Sequence, residues 1–308
     1  MHAFRVGVSA VFAGCVFAAS AASAQEARTA TPAEEDKIVV TGQSEQPSSS
    51  EVSRQARSIT QGGNFRRSAL ARFERRLCPG VIGLTPDMAA LVIDRIRFNA
   101  AELGLGLTED DGSCTPNLVV AFVKDGQAEL NALAKDHGYM FNSLELHEKR
   151  ALLAETGPVR VFTSTLERTR DGMPIARNEG GDPPVAQMWM AHSKIYLATR
   201  EDIEFVMVMF DLEKLKGKTL VQLADYATMR GLARTKPVDE DGQPLDTILA
   251  LFDQDGAPTD ELTSFDRAYL ASVYDSIPNL PGSVRLMGVN RQLELQAAAE
   301  ERAARNQR

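Results

Sequence analysis

The sequence predicts a single α+β domain, with a mixed sheet and packed helices, preceded by a signal peptide and a disordered leader. The chain has 308 residues, of which 44% are hydrophobic and 25% charged, a composition typical of soluble globular proteins. Short apolar runs typical of strands are mixed with segments that repeat an apolar residue every three or four positions, as helices do. Because the two kinds do not alternate strictly, we expect α+β rather than a doubly wound fold. The predicted parts are a signal peptide (1–24), a leader (25–64), an α+β domain (65–290) and a charged helical tail (291–308).

The N-terminal residues have the pattern of a cleavable secretion signal. A basic start and the apolar run 6–19 lead to the small residues 22–24, which precede a cleavage site before Gln25. The run is too short to cross a bilayer, which takes about 20 residues. An uncleaved anchor and lipid attachment at Cys15 are the alternatives; Phe12, three residues earlier, disfavours the second. We therefore expect a periplasmic or secreted protein.

The leader has few apolar residues, so we expect residues 25–64 to remain unfolded. One β-prone island contains Ile38, Val39 and Val40. It resembles the TonB box of TonB-dependent outer-membrane receptors, a segment that pairs as an added strand with the energy-coupling protein. The resemblance implies an envelope protein as partner; the alternative is a spacer with incidental strand propensity. The chain is too short to contain the receptor barrel itself.

Charge and cysteine content restrict the classes of function. The formal net charge is −8, and removal of the signal, which has one arginine and no acid, makes it −9. An acidic chain is poorly suited to neutralising nucleic-acid phosphates, so we expect no nucleic-acid partner. Two cysteines remain after cleavage, Cys78 and Cys114, and in an oxidising compartment such a pair most often forms a disulfide. The alternative is two free buried thiols.

The first half of the domain begins with an apolar residue at every fourth position from Phe65 to Leu77, which predicts an amphipathic helix with a basic outer face. A short strand is expected at 81–82. The next helix is predicted from Thr85 to Gly104, because Thr85 suits the N-cap and Gly104 suits a left-handed C-terminal residue. The uninterrupted apolar run 118–123 predicts a central strand that is buried on both faces.

In the rest of the domain we predict helices at 127–137, 143–155 and 219–232 and one that starts at Thr263, where Asp266 completes a capping pair. Apolar runs predict strands at 159–165, 195–198 and 203–210. The charged and glycine-rich stretch 167–186 predicts a surface loop.

Motif searches give no strong site. His147 and Glu148 begin like a zinc-binding HExxH motif, but Ala151 stands at the second histidine, so we expect no metal there. No dinucleotide, P-loop or calcium-loop pattern is complete, and we expect no cofactor. Trp189 and His192, an aromatic ring and an imidazole close in sequence, form a candidate pocket. The alternative is a core tryptophan with a surface histidine.

Several segments resemble secreted alphaproteobacterial proteins of unknown function. The similarity covers roughly residues 65–290, and its segments are 75–84, 114–118, 222–232 and 262–266. The chain is also distantly similar to a domain family placed near zinc metallopeptidases. That resemblance implies that the helix 222–232 occupies the position of the zinc-binding helix and that the metal site is lost.

These observations favour a non-catalytic periplasmic or envelope-associated binding protein. The alternative is a hydrolase with an unrecognised or degenerate metallopeptidase-like site. Its candidate catalytic residues are Asp225 and Tyr226, which are polar groups on an otherwise apolar helix, together with Asp266 and Tyr269. Solvation of the helix surface explains the first two equally well. No pair of carboxylates is singled out for acid–base chemistry.

Overall fold

The computed structural model describes residues 47–62, 64–109, 112–175, 193–238, 245–253, 259–275 and 277–306. Within these ranges the chain forms one α+β domain with seven α-helices and a four-stranded mixed sheet, which confirms the predicted fold class. The signal peptide, the TonB-box-like residues Ile38, Val39 and Val40, and the candidate pair Trp189 and His192 lie outside the described residues. No helix of the described part is long and apolar enough to cross a membrane.

Most of the predicted helices and strands are present, with shifted bounds. The helices are α1 (Ser49–Ile59), α2 (Pro86–Glu102), α3 (Gly126–Asp136), α4 (Leu146–Ala154), α5 (Leu220–Leu232), α6 (Ser264–Tyr274) and α7 (Gly282–Asn306). The strands are β1 (Pro79–Ile82), β2 (Leu118–Val123), β3 (Val159–Thr169) and β4 (Thr199–Asp211). Short 3-10 turns span Gly138–Ser143, Leu212–Lys214 and Ile248–Ala250.

The sheet has the strand order β1-β2-β4-β3, in which β1, β2 and β4 are parallel and β3 is antiparallel to β4. The apolar run Leu118–Val123 is a central strand, as its sequence predicts. Side chains that alternate along it enter two separate clusters. Val120 and Phe122 face the larger core with helices α1, α2, α5, α6 and α7, whereas Ala121 faces a smaller core under α3 and α4. The apolar run is therefore explained by burial on both faces.

Helix α1 corrects the prediction for the last part of the disordered leader 25–64, because Ser49–Ile59 is helical; residues 25–46 lie outside the described residues. Val52, Ala56 and Ile59 of α1 are buried in the main core, and the side chain of Gln55 exchanges two hydrogen bonds with the backbone of Leu245. Ser48 and Glu51 form a capping box at its start. The overall composition of this stretch predicted disorder because few of its residues are apolar. Three apolar residues at the spacing of one helical face are nevertheless enough to anchor the helix.

The segment 65–77 is not the predicted helix. Its backbone is irregular, and Arg72 and Leu77 make isolated strand-like bridges to Asp202 and Leu107. Arg72 is buried and pairs with Glu74 at 2.6 Å, so it does not belong to a solvated basic face. The apolar residues have the four-residue spacing of a helix, but each of them enters the core from an irregular backbone rather than from one helical face.

Ion pairs explain why this segment lies against the β3–β4 ribbon. Seven charged side chains alternate in sign along one continuous network: Arg75, Glu204, Arg168, Asp202, Arg200, Glu74 and Arg72. Burial raises the pKa of Asp202, and the neighbouring Arg200 opposes that effect. Hydrogen bonds to the extended ribbon thus replace those that a helix would make within itself.

Four further elements differ from prediction. The predicted strand 195–198 is absent, and β4 runs without a break from Thr199 to Asp211. The predicted helix 143–155 is a 3-10 turn followed by α4. The charged tail 291–308 is not a separate part, because its described residues continue α7 from Gly282 to Asn306. The predicted loop 167–186 begins inside β3, and 176–186 lie outside the described residues.

Candidate functional site

The structure joins Cys78 and Cys114 in a disulfide, as the sequence predicts. Cys78 is buried immediately before β1, and Cys114 precedes β2 by four residues. Because β1 and β2 are paired in register, the bridge ties together the entrances of two neighbouring strands. It is a covalent link within the sheet and involves none of the candidate catalytic residues.

Asp225, one of the candidate catalytic residues, is a fully buried acceptor of four hydrogen bonds. Arg95 of α2 donates two bonds of 2.7 Å, one to each carboxylate oxygen. Asn99 donates a third at 2.7 Å, and the backbone amide of Leu262 donates a fourth at 2.9 Å. The hydrogen bonds that Arg95 donates to Asp225 raise the pKa of its guanidinium. The carboxylate is therefore fully engaged in joining α2, α5 and the residues before α6.

Tyr226, the next residue on α5, lies in an aromatic cluster rather than beside Asp225 in a site. Its ring packs edge-on against Phe252 with centroids 5.1 Å apart and also contacts Phe210. Its hydroxyl accepts a hydrogen bond of 3.0 Å from Arg230 one turn later. The ring is buried, so burial in the core explains the residue.

Asp266 and Tyr269 of α6 belong to two further networks. The carboxylate of Asp266 accepts bonds from the hydroxyls of Thr247 and Thr263 and from the backbone amides of Ile248 and Thr263. Burial raises the pKa of Asp266, and these donors oppose the effect. The hydroxyl of Tyr269 donates to Thr60, and burial raises the pKa of that phenol as well. The capping pair predicted for Thr263 and Asp266 is confirmed.

The four candidate catalytic residues therefore do not converge on one accessible site. Residues 222–232 of α5 are all buried, so the helix that the metallopeptidase resemblance identifies with the zinc-binding helix is enclosed on every side. Gln222 donates to the carbonyl of Thr259 and accepts from the amide of Thr219. Among the described residues, no three His, Cys, Asp or Glu side chains form a group that could hold a metal ion.

A pocket with a volume of about 120 Å³ lies beside Tyr269 and Thr60. Arg234 and Glu201 also line it and form an ion pair with each other, and Arg234 pairs with Glu148 at 2.8 Å. Burial alone would raise the pKa of Glu148, but its hydrogen bonds with the backbone of Glu145 and with Arg234, together with the positive charge of Arg234, lower that pKa. The charges at this pocket are thus paired with one another, and its size suits only a small molecule.

The outer side of α2 carries exposed apolar side chains, which we call the α2 face: Met88, Leu91 and Phe98. Leu91 is 60% exposed and Phe98 55% exposed. Their separations of three and seven residues place them along one side of the helix. The opposite side of α2, including Val92 and Ile96, is buried in the main core.

Arg95 lies between Leu91 and Phe98 and connects the α2 face to the buried Asp225. Its guanidinium lies 5.7 Å from the centre of the Phe98 ring, over which it packs. It also pairs with Glu261 at 3.0 Å. Because the buried Asp225 fixes the Arg95 guanidinium, the side chains in the middle of the α2 face are held in one arrangement. The sequence analysis identified Asp225 but missed Arg95, to which Asp225 is bonded. The apolar residues at 88, 91 and 98 were the signal from which the α2 face could have been recognised.

The neighbouring helix α5 extends the apolar surface. Arg95 contacts Asp225 and Asn99 contacts Thr228, so the two helices run in the same direction where they pack. One turn earlier, this register puts Leu91 level with Val221, which is 43% exposed. The α2 face therefore continues onto the start of α5.

No family model, no curated protein and no solved structure matches this chain.

Proposed function

We propose that the chain is an exported, non-catalytic protein of the bacterial cell envelope that binds a partner protein through the α2 face. The observation that carries this proposal is the exposed apolar stripe of Met88, Leu91 and Phe98 on a helix whose middle is fixed by Asp225 and Arg95. Clustered apolar side chains on the surface of a soluble domain mark interaction sites, whereas single ones need no explanation.

Rigidity of the helix favours binding. A partner loses less free energy to ordering when the side chains it contacts are already held in place. The Arg95 guanidinium is held by two hydrogen bonds to Asp225 and packs over Phe98, so the ring is supported before any partner arrives. A large apolar ring in such surroundings has the features of a binding hot spot.

Export is supported by the N-terminal signal pattern and by the Cys78–Cys114 disulfide. Disulfides persist in the periplasm and outside the cell and are rare in the cytosol. The TonB-box-like residues Ile38, Val39 and Val40 stay a prediction of a second contact to an envelope protein.

The non-catalytic part of the proposal is supported by the way the candidate catalytic residues are used. Asp225, Tyr226, Asp266 and Tyr269 are buried and bonded in separate networks that hold helices together. A hydrolase needs a nucleophile or acid–base group within reach of its substrate. No contact of the described residues favours the hydrolase alternative over a structural role.

Site-specific photo-crosslinking in cells tests the binding site. A photoreactive residue at Leu91 or Phe98 is expected to give a discrete adduct larger than the mature chain. The matched control is Leu146, which lies on α4 and is 64% exposed. Similar adducts from Leu146, or none from the α2 positions, would contradict binding through the α2 face.

Mass spectrometry of the natively produced protein tests export. We expect a chain that begins at Gln25, with neither Cys78 nor Cys114 alkylated until a reductant is added. A chain that still carries Met1 and two freely alkylated thiols would contradict the assignment to the envelope.

A further inference from the structure

We infer that the partner of the α2 face is an amphipathic helix with lysine or arginine beside its apolar stripe; this inference rests on the docking site proposed above. The apolar spacing of the α2 face suggests a helical partner, and the charges around it indicate that the partner is basic.

The shape of the surface fits a helix. Met88 and Phe98 are ten residues apart, which corresponds to about 15 Å along α2, or roughly three helical turns. Helices pack by fitting the ridges of one into the grooves of the other, and α2 with the start of α5 presents such ridges. Apolar residues at intervals of three, four or seven positions are the anchors by which helices bind apolar surfaces.

The charged side chains that α2 exposes are all acidic. Asp87, Asp94 and Glu102 are exposed on α2, and none of them has an ion-pair partner among the described residues. Arg95 adds no free positive charge, because Asp225 and Glu261 both pair with it. A partner with basic side chains beside its apolar stripe therefore meets a complementary potential, whereas an acidic partner is repelled.

Other occupants fit less well. An anionic lipid surface is repelled by the same carboxylates. A second copy related by a two-fold axis through the middle of the stripe brings Asp94 against its own equivalent. A basic helix avoids each of these penalties.

Two synthetic amphipathic peptides of about 18 residues, or five helical turns, provide the test. One combines leucine with lysine and the other places glutamate at the lysine positions, so that their apolar stripes are identical. Each labelled peptide is titrated with the oxidised mature protein and followed by fluorescence anisotropy. We expect the leucine–lysine peptide to bind, with an affinity that falls as salt is raised, and the leucine–glutamate peptide to bind at least about tenfold more weakly.

Variants assign that binding to the α2 face. Leu91→Ser is expected to weaken binding of the leucine–lysine peptide at least about tenfold, since an apolar anchor is lost. Asp94→Asn is expected to weaken its binding about two- to threefold. Leu146→Ser on α4 is the matched control and is expected to leave binding unchanged, and thermal unfolding verifies that all three variants are folded.

Equal binding of both peptides, no binding of either, or no effect of Asp94→Asn would overturn the inference of a basic partner while leaving the crosslinking result for the α2 face intact. Equal weakening by Leu91→Ser and Leu146→Ser would contradict both the inference and the proposed docking site.

Discussion

Asp225 and Asp266, which belong to different helices, accept hydrogen bonds from the adjacent backbone amides of Leu262 and Thr263. The short segment that holds these two amides is therefore clamped between α5 and α6 by two buried carboxylates. Each carboxylate has further donors on other elements, Arg95 on α2 and Thr247 before the Ile248–Ala250 turn. The polar residues that most resemble catalytic groups in the sequence thus hold together the helical layer that supports the α2 face.

Replacement of Asp225 is expected to destabilise the fold. In Asp225→Asn one carboxylate oxygen is lost, and Arg95 keeps only Glu261 as an ionised partner. Breaking a buried ion pair from one side costs roughly 3–5 kcal/mol, and we expect about 2–3 kcal/mol because Arg95 is partly exposed. Urea unfolding measures the change. The control Glu261→Gln, at an exposed position, is expected to cost less than about 1 kcal/mol, and equal losses in both variants would refute the hub role of Asp225.

The buried Asp266 makes stability depend on pH in a specific direction. Burial raises its pKa in the folded state, so the folded protein binds more protons than the unfolded chain above about pH 4. Stability is therefore expected to fall as pH rises from about 4 to the folded pKa, by about 1.4 kcal/mol for each unit of upward shift. Asp266→Asn removes this dependence. The free energies of unfolding of the two proteins are compared at several pH values. A difference between them that stays constant, or that grows in favour of the native aspartate as pH rises, would contradict the raised pKa of Asp266.

Two glycines with similar backbone angles are expected to respond very differently to alanine. Gly83 and Gly104 have φ of +87° and +74°, which any side chain finds strained by about 1–2 kcal/mol. At Gly83 an added Cβ would also lie 2.0 Å from the carbonyl oxygen of Phe122, whereas at Gly104 nothing lies within 4 Å. We expect Gly104→Ala to cost about 1–2 kcal/mol and Gly83→Ala at least about 3 kcal/mol, because the backbone must also move. Thermal unfolding compares them, and similar losses would contradict the close approach of Gly83 to β2.

Loss of the disulfide is expected to lower the free energy of unfolding without changing the fold. The two cysteines are 36 residues apart in sequence, and closing a loop of this length is valued at about 4 kcal/mol in the chain-entropy description. Cys78→Ala with Cys114→Ala is expected to match the reduced wild-type protein in chemical unfolding. Reductant is expected to leave the double variant unchanged, and a wild-type protein equally indifferent to reductant would show that the bridge adds no stability.

Helix α1 is expected to be part of the cooperative fold. Ile59 is fully buried in the main core, so Ile59→Ala is expected to cost about 2–5 kcal/mol. Arg57→Ala, on the exposed side of the same helix, is expected to change stability by less than about 0.5 kcal/mol. Equal and small effects of Ile59→Ala and Arg57→Ala on urea unfolding would indicate that these residues belong to the disordered leader predicted from composition.

The sequence by itself determined the features that depend on local chemistry. Side-chain type and spacing along the chain were enough to predict the apolar run of β2, the start of α2 after Thr85, the capping box of α6, the α+β class and the pairing of Cys78 with Cys114. Periodicity reports which residues of an element are buried, and caps report where a helix begins, without knowledge of neighbours.

Only the tertiary structure decided how the polar residues are used and where α1 packs. Arg95 and Asp225 are 130 positions apart in sequence, and no local pattern shows that one is held by the other. Arg72 is a second example. Its spacing in the sequence predicts a helix, but in the structure it makes a strand-like bridge to Asp202 of the β3–β4 ribbon. A buried charge is stable only beside its partners, and those partners come from distant parts of the chain. Burial of the four candidate catalytic side chains, and exposure of the α2 face, were therefore settled by packing.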